Sequence, residues 1–276
     1  MRRLISEKLN QLIQKFLWHS GLGNIHDIEV DLYLSRILET SRNPLLRPIV
    51  SNFSQSDEDG IIQRICQRIG ITRGKFVEIG VGDGLENNTL LLHLQGWDGI
   101  WFGGQQLKIP KGMELPKNLI FNKIWVDKDS LENEVIPRIQ EFGEVDLLSL
   151  DLDGNDFHFA SDMLRKGLKP KIWVQEYNGN FPPNTKWIQV YDQDHRWKDD
   201  NYYGASLDSY QELFESYGYK LVACNLLGVN AFFVRSDLSK FFSDIPTQLG
   251  EVYAPARPMF RKMKQRVSPK IYLKRM

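Results

Sequence analysis

The stretch "KFVEIGVGDGLENNT", Lys75 to Thr89, places three glycines within five positions, directly after an apolar, β-branched run. An apolar run followed by glycines predicts a buried strand that ends in a tight turn, and "NNTLLLHLQG" after it predicts a helix. Because glycine lacks a β-carbon, Gly80, Gly82 and Gly84 let a bound group approach the backbone closely. The stretch therefore predicts a ligand site at the end of a buried strand.

Strand and helix patterns alternate around this stretch. A helix is predicted over Glu58–Ile69, where cap-type residues precede isoleucines at helical spacing. Further strands are predicted at "GIWFGG", "LIFNKIWVD", "VDLLSLDLDG", "PKIWVQEYN", "KLVACNL" and "NAFFVRSDL". Helices are predicted between them at "SLENEVIPRIQEFG", with Pro137 as a kink, "DFHFASDMLRKGL" and "LDSYQELFESYGY". This order predicts an α/β, Rossmann-like, doubly wound fold, with a mostly parallel seven-stranded sheet that ends in an antiparallel hairpin.

The pattern divides the chain into an extension, a domain and a tail. Residues 1–53 are interpreted as an N-terminal helical extension and connector, residues 54–240 as the α/β domain and residues 241–276 as a basic tail. An amphipathic helix is expected to end near Gly21 and Gly23, before an irregular connector with one short helix around Val30–Leu38. The aromatic insertion 179–205 is too long and irregular for the sheet and predicts a lid.

Composition excludes several kinds of partner. The 276 residues are 42% hydrophobic with zero formal charge, so no nucleic-acid partner is expected. No apolar run approaches the roughly 20 residues of a membrane span. The two cysteines lack disulfide or zinc spacing, and a cytoplasmic location is expected. The amphipathic start and the basic residues from Arg257 onward would permit peripheral membrane contact, whereas a docking helix and a solvated tail are the alternatives.

The glycine spacing distinguishes three kinds of cofactor turn. A dinucleotide turn needs GxGxxG, but this chain has GxGxG with Leu85 in place of the last glycine. A P-loop needs Gly-Lys-Ser or Gly-Lys-Thr, which "GLENNT" lacks. The third kind is the turn after the first strand of an S-adenosylmethionine (SAM) methyltransferase, where glycines make room for the methionyl group.

The motifs together resemble a known family. "VEIGVGDG" resembles the acidic-x-GxGxG first motif of class I SAM-dependent methyltransferases. With "SDEDGII", "SLDLDGNDFHF", "WVQEYN" and "GVNAFFV", the chain is similar to FkbM-like and sugar O-methyltransferases, many of them encoded with surface-polysaccharide genes. The resemblance spans roughly Ser54 to Leu238 and is more specific for the fold than for the substrate.

The resemblance implies a SAM site along the ends of the first strands. Glu78 matches the acidic position that orients the glycine turn and the cofactor; a strand-end carboxylate capping nearby amides is the alternative. The family usually binds the ribose through an acid after the second strand, but here "WFGGQQ" offers Gln105 or Gln106, whose neutral bond is weaker. Asp127 matches a position that faces the adenine amino group, or it is an ordinary loop aspartate.

Acids after the fourth and fifth strands carry the expected chemistry. Strand alternation puts Asp151 and Asp153 on one face at an edge where ligands bind, and Asp151 is assigned to the cofactor. Resemblance to metal-assisted sugar methyltransferases implies that Asp153, Asp156 and Glu176 hold Mg²⁺, which would lower the pKa of a coordinated sugar hydroxyl. The alternative is that these acids cap turns and orient the next helix.

Methyl transfer to a hydroxyl needs in-line positioning and a base. The candidate catalytic residues are Asp153, His158, Glu176 and His195. A helical His158 would equally be a packed residue, whereas His195 lies in the loop "YDQDHRW". The lid also carries aromatic rings that would stack on sugar faces or cover the sheet end, namely Trp187, Tyr191, Trp197, Tyr202 and Tyr203.

These observations predict a SAM-dependent O-methyltransferase that acts on a sugar or polysaccharide precursor, with Mg²⁺ as a second cofactor. The alternative is a non-catalytic module of the same fold that acts in glycan binding or assembly, which the missing ribose acid in "GGQQ" motivates. A nucleotide-dependent oxidoreductase is disfavoured because the GxGxxG pattern is missing.

Overall fold

The computed structural model describes residues 22–109, 114–198 and 200–257. The strands of this part of the chain are β1 Lys75–Ile79, β2 Asp98–Gly103, β3 Leu119–Lys123, β4 Leu147–Leu150, β5 Ile172–Glu176, β6 Tyr219–Cys224 and β7 Asn230–Arg235. They form one 7-stranded sheet in the order β3-β2-β1-β4-β5-β7-β6. Neighbouring strands from β3 to β5 are parallel, and β7 runs antiparallel to β5 and β6. The predicted fold class and closing hairpin are confirmed.

Helices cover both faces of the sheet. The α-helices are α1 Leu22–Thr40, α2 Glu58–Ile69, α3 Leu90–Leu94, α4 Lys128–Ser130, α5 Ile136–Phe142, α6 Asp156–Arg165, α7 Leu207–Ser216 and α8 Leu249–Val252. A π-helical segment, Leu131–Val135, joins α4 to α5 just before Pro137, where the sequence predicts a kink. Short 3₁₀ segments are Pro44–Leu46 and Ser236–Phe242.

The two faces of the sheet bury separate apolar clusters because successive side chains on a strand point to opposite faces. Leu148 and Leu150 of β4 pack in the cluster beneath α6 and α7, whereas Leu147 packs in the cluster beneath α1 and α2. All residues of β4 and β5 are buried, which explains their nearly continuous apolar sequences. This packing fixes the carboxyl ends of the parallel strands at one edge of the sheet.

The start of the described chain differs from the sequence prediction. Residues 1–21 lie outside the described residues, so the predicted amphipathic helix is not described. Gly23 lies inside α1, which spans 19 residues rather than a short helix over Val30–Leu38. Val30 and Leu34 of α1 are buried, yet Ile28 and Leu32 are 59% and 60% exposed. Because α1 has apolar residues on two faces, its helical periodicity is hard to detect in the sequence, which explains why the predicted helix is too short.

The aromatic insertion has an irregular structure, and its role as a lid stays a prediction. Within 179–198 and 200–205, the structure shows no regular strand or helix, apart from an isolated bridge between Ile188 and Ala205. Cys66 and Cys224 are free and buried. Within the described ranges, no helix combines the length and the apolar character that crossing a bilayer requires.

Candidate functional site

The glycine turn after β1 is partly packed and partly open. Gly80, Gly82 and Gly84 have φ angles of +103°, +53° and +81°, a region that glycine adopts most readily. A β-carbon on Gly80 would lie 1.5 Å from the carbonyl oxygen of Asp151, so only glycine fits there. A β-carbon on Gly82 would meet no atom within 4 Å. The turn therefore packs against the protein at Gly80 and borders open space at Gly82.

Glu78 holds the start of the helix that follows the turn. Its carboxylate accepts hydrogen bonds from the backbone N–H groups of Asn88 (2.9 Å) and Thr89 (3.1 Å), and from the Thr89 hydroxyl. Trp101 Nε1 donates to the same hydroxyl at 2.8 Å. Burial raises the pKa of Glu78 to about 7, despite these hydrogen bonds. The contacts observed are those of the capping alternative, and they orient the glycine turn from behind.

The segment after β2 offers no carboxylate for a ribose. Gln105 and Gln106 are exposed, and residues 103–109 contain no acid. Lys108 in this segment forms an ion pair with Asp83 of the glycine turn, and its backbone N–H donates to the Asp83 carbonyl at 2.9 Å. The segment is thus fastened to the turn, which leaves Gln105 at the same edge as Gly82. Its role in binding the ribose stays a prediction.

Asp127 caps a helix. Its carboxylate accepts from the backbone N–H of Ser130 at 2.8 Å, and the Ser130 hydroxyl accepts from the backbone N–H of Asp127 at 2.9 Å. The Ser130 amide hydrogen bond is the main cause that lowers the pKa of Asp127. This is the reciprocal capping box of a helix start. The structure therefore gives Asp127 the role of an ordinary capping aspartate.

A cluster of three acids lies where β4 and β5 end. One carboxylate oxygen from each of Asp151, Asp153 and Glu176 falls within 4.8 Å of the others. Asp151 is half-buried, Asp153 is exposed and has a positive φ of 54°, and Glu176 is buried. Burial and then the charge of Asp153 raise the pKa of Asp151; burial and then Asp151 raise the pKa of Glu176. We call these three residues the acid cluster.

Asp156 lies outside the acid cluster, so the structure does not group it with the other two predicted metal ligands, Asp153 and Glu176. Its two carboxylate oxygens accept from the backbone N–H groups of Leu152 (2.7 Å) and Gly154 (2.8 Å). Burial raises its pKa to about 6. Asp156 therefore shapes the loop after β4, and Asp151 takes the place in the cluster that the sequence assigned to Asp156.

The two histidines have different positions. His158 on α6 faces the lid, where its Nε2 lies 2.8 Å from the Gln189 carbonyl oxygen and its ring packs edge-on against Tyr191. His158 is thus packed against the lid, and its catalytic role stays a prediction. His195 Nε2 lies 3.1 Å from the carbonyl oxygen of Asp153. The lid therefore places His195 directly above the backbone of the acid cluster.

The lid is fastened across the ends of β3 and β4. The Arg196 guanidinium carbon lies 3.5 Å from the ring centroid of Trp125, which follows β3. Asn155, after β4, bonds Asp192 twice through its amide, at 2.7 and 3.1 Å. A cavity of about 50 Å³ lies beneath this contact. Its lining includes Gly104, Ile124, Val126, Leu152, Phe159 and His195.

Tyr203 of the lid lies close enough to the acids to be affected by their charges. Burial, followed by the charges of Glu176 and Asp151, raises the pKa of Tyr203, so its phenol stays protonated and can donate a hydrogen bond. The Tyr203 ring packs edge-on against Trp197, with 6.5 Å between ring centroids. The sequence suggested sugar stacking for this residue but gave no signal of its position beside the acids.

The sheet edge carries a polar row on the side that faces α2. Alternation along β1, β4, β5 and β7 places Glu78, Asp151, Glu176 and Asn230 on the face whose apolar residues pack with α2. Glu58 at the start of α2 accepts from Asn225 (2.8 Å) and Asn230 (3.2 Å). The sequence did not single out Asn230, although a polar residue opening an apolar strand was an available signal.

Comparisons with known proteins add little to this geometry. No protein-family model matches the chain, and no curated protein matches its sequence. Among solved structures, the chain is similar to the crystal structure of the N-terminal domain of EvdMO1 with SAH bound, at 10% sequence identity and a TM-score of 0.39. The match covers 65% of this chain and 80% of that chain. A similarity at this level carries no argument about a cofactor or a reaction.

Proposed function

We propose that this chain is a SAM-dependent methyltransferase that methylates a hydroxyl group of a sugar or polysaccharide precursor. The observation that carries the proposal is the open space at Gly82, at the same sheet edge as the acid cluster. At Gly80 the β-carbon position is filled by the Asp151 backbone, so that glycine serves packing. Gly82 has no such packing reason, and its open space supports a bound group that passes close to the backbone.

The described residues fit the cofactor at two places and depart from the family pattern at one. The glycine turn leaves room for the methionyl group, and the cavity beside Trp125, which has both apolar and polar lining residues, would lie against one face of a planar ring. After β2, Gln105 would offer the ribose an amide hydrogen bond, about 0.5–1.5 kcal/mol against about 1.5–3 kcal/mol for a charged partner. Bound there, the cofactor would supply an electrophilic methyl group on a sulfonium.

The acid cluster suits a hard divalent cation such as Mg²⁺. Its ligands would be carboxylate oxygens of Asp151, Asp153 and Glu176. Oε2 of Glu176 is buried without a hydrogen-bond partner among the described residues. This supports a cation or a hydrogen-bond donor bound next to that oxygen. The cation would lower the pKa of a coordinated hydroxyl. Asp153 is the exposed member, so its carboxylate would pass the released proton to water.

Calorimetry with SAM and S-adenosylhomocysteine tests the cofactor half of the proposal. We expect binding by the unmodified chain and loss of binding in Gly82→Val, because the new side chain fills the open space. Gly167→Val is the matched control, since Gly167 also has a positive φ (+86°) and no atom within 4 Å of a β-carbon. Gly167 follows α6, away from the site. No binding at millimolar cofactor would refute the proposal.

Methyl transfer itself is tested with labelled SAM and carbohydrate fractions. We expect label in an alkali-stable ether of a sugar. The rival function, a non-catalytic module in glycan binding or assembly, is favoured by one observation, the exposed glutamines where the ribose acid is expected. Glycan binding by the cofactor-free chain, with no label transferred to any carbohydrate fraction, would support that rival.

A further inference from the structure

Asn230 lies directly beside Glu176. The two residues are register partners in the antiparallel pairing of β5 with β7. Side chains of such partners share a face, with β-carbons about 5 Å apart. Glu176 is 6% exposed and Asn230 is 2% exposed, so both side chains are screened from water. A ligand that binds the side chain of Glu176 is therefore within reach of the side chain of Asn230.

Each residue carries a buried oxygen that lacks a hydrogen-bond partner within the described part of the chain, Oε2 of Glu176 and Oδ1 of Asn230. The side-chain amide nitrogen of Asn230 already forms a hydrogen bond, which it donates to Oε1 of Glu58 at 3.2 Å. The Asn230 oxygen therefore points away from Glu58. A buried acceptor without a partner is destabilising, because it has lost its hydrogen bonds to water. Two such acceptors side by side indicate a bound cation or donor.

The surroundings favour a cation. Glu176 belongs to the acid cluster, whose carboxylate oxygens already converge within 4.8 Å. In the sheet, β5 lies between β4 and β7, so Asp151 and Asn230 flank Glu176 from its two sides. Carboxylate and side-chain amide oxygens are the ligands that hard divalent cations take in proteins. A hydroxyl donor would satisfy the two acceptors but would not offset the repulsion among the three carboxylates, which a cation does.

We propose that Asn230 Oδ1 is a neutral ligand of a divalent cation held by Asp151, Asp153 and Glu176. The inference rests on the metal component of the proposed function and adds a ligand to it. A neutral ligand completes the coordination without adding to the repulsion among the carboxylates, which already helps to raise the pKa of Asp151 and Glu176. Four protein oxygens leave coordination positions open for water and for the hydroxyls of an acceptor.

Titration of the purified full chain with Mg²⁺ and Mn²⁺ alone tests this assignment. We expect Asn230→Ser to weaken the cation by about tenfold or more, because one ligand is removed. We expect Asn230→Asp to strengthen binding by about tenfold, because a carboxylate replaces the amide oxygen at the same position. Circular dichroism melting with and without cation shows that each variant is folded, and a bound cation raises the melting temperature.

Asn225→Asp is the matched control. Asn225 also donates to Oε1 of Glu58, at 2.8 Å, so both replacements lose the same kind of hydrogen bond and add the same charge. The Asn225 oxygen, however, already accepts from the N–H groups of Val229 and Asn230. Asn225→Asp should therefore leave cation affinity within about twofold of the unmodified chain.

Three outcomes would overturn the assignment. Equal gains in Asn225→Asp and Asn230→Asp would show a general effect of charge, and unchanged affinity in Asn230→Ser would place the ligand elsewhere. No cation binding by the unmodified chain would leave an ordered water as the partner of the two oxygens. SAM binding is measured separately without metal, so the cofactor proposal can survive when the cation proposal fails.

Discussion

The carbonyl oxygen of Asp151 occupies the place where a β-carbon on residue 80 would stand, 1.5 Å from that point. The glycine turn after β1 and the first residue after β4 are therefore packed backbone to backbone. Asp151 also contributes a carboxylate to the acid cluster. The position of the cluster relative to the turn is thus set by backbone contact, which side-chain rotation cannot change.

Gly80→Ala should destabilise the fold strongly. The methyl group would overlap the Asp151 carbonyl, and a φ of +103° is unfavourable for alanine. We expect the free energy of unfolding in urea to fall by about 3 kcal/mol or more. Gly167→Ala, which meets no atom within 4 Å, should lose only about 1 kcal/mol from backbone strain. Equal losses in the two variants would contradict the contact.

Asp156 should matter for stability. Both of its carboxylate oxygens accept backbone N–H groups within the loop after β4. Asp156→Ala leaves one buried and one part-buried N–H donor without an acceptor, and we expect a loss of about 2–4 kcal/mol in urea unfolding. The control is Asp162→Ala on the same helix, whose ion pair with Arg165 is largely exposed and worth under about 1 kcal/mol. A loss no larger than the control's would return Asp156 to the candidate metal ligands.

Glu78 should make the fold less stable as pH rises from about 5 to 8. Burial raises its folded-state pKa from 4.5 to about 7, so between these values the folded chain binds a proton that the unfolded chain releases. The stabilisation is fully present below pH 4.5 and is lost as the pH rises through 7. A shift of this size corresponds to about 3 kcal/mol.

Glu78→Gln removes the titration and should flatten the dependence of unfolding free energy on pH over the same window. The variant should also be less stable below about pH 5, because an amide cannot accept all the hydrogen bonds from Asn88 and Thr89. Urea unfolding at a series of pH values separates the change in pH dependence of the unfolding free energy from the effect of the lost hydrogen bonds. An unchanged slope would show that other buried acids, such as Asp57 with a pKa raised to about 7, carry the dependence.

Arg196 should hold the lid closed. Its guanidinium stacks on the exposed Trp125 ring, a contact worth about 1 kcal/mol. In Arg196→Ala, native-state cleavage by chymotrypsin near Trp197 should be about fivefold faster, because that energy shifts lid opening by the same factor. Lys240→Ala removes a similar surface contact, with Phe241 outside the lid, and should not change the rate. Equal rates for all three proteins would show that Arg196 does not restrain the lid.

The sequence predicts the sheet well because its strands are buried on both faces. The apolar runs of β4 and β5 leave little ambiguity, and the predicted bounds of α2 agree with the structure. The length of α1 was underestimated because Ile28 and Leu32 lie opposite its buried stripe.

The candidate site was harder to predict because neighbouring acids look alike in sequence. Asp151, Asp153 and Asp156 lie within six positions of the sequence. Only the fold shows that both carboxylate oxygens of Asp156 accept hydrogen bonds from backbone amides. Asn230 depends on the register of β5 with β7, a pairing of residues far apart in the chain. Local patterns carry no information about such a partner.

The hydrogen bonds from Asn225 and Asn230 to Glu58 join residues 167 and 172 positions apart. During synthesis, Glu58 at the start of α2 therefore cannot form its hydrogen bonds with Asn225 and Asn230 until the ribosome has made almost the whole domain. Until then the Glu58 carboxylate has only its local hydrogen bonds from Ser56, so part of its hydrogen-bonding capacity stays open, which disfavours early burial of that acid. Burial of the start of α2 is thus linked to completion of the last hairpin, since a chain truncated before it lacks the two asparagine partners of Glu58.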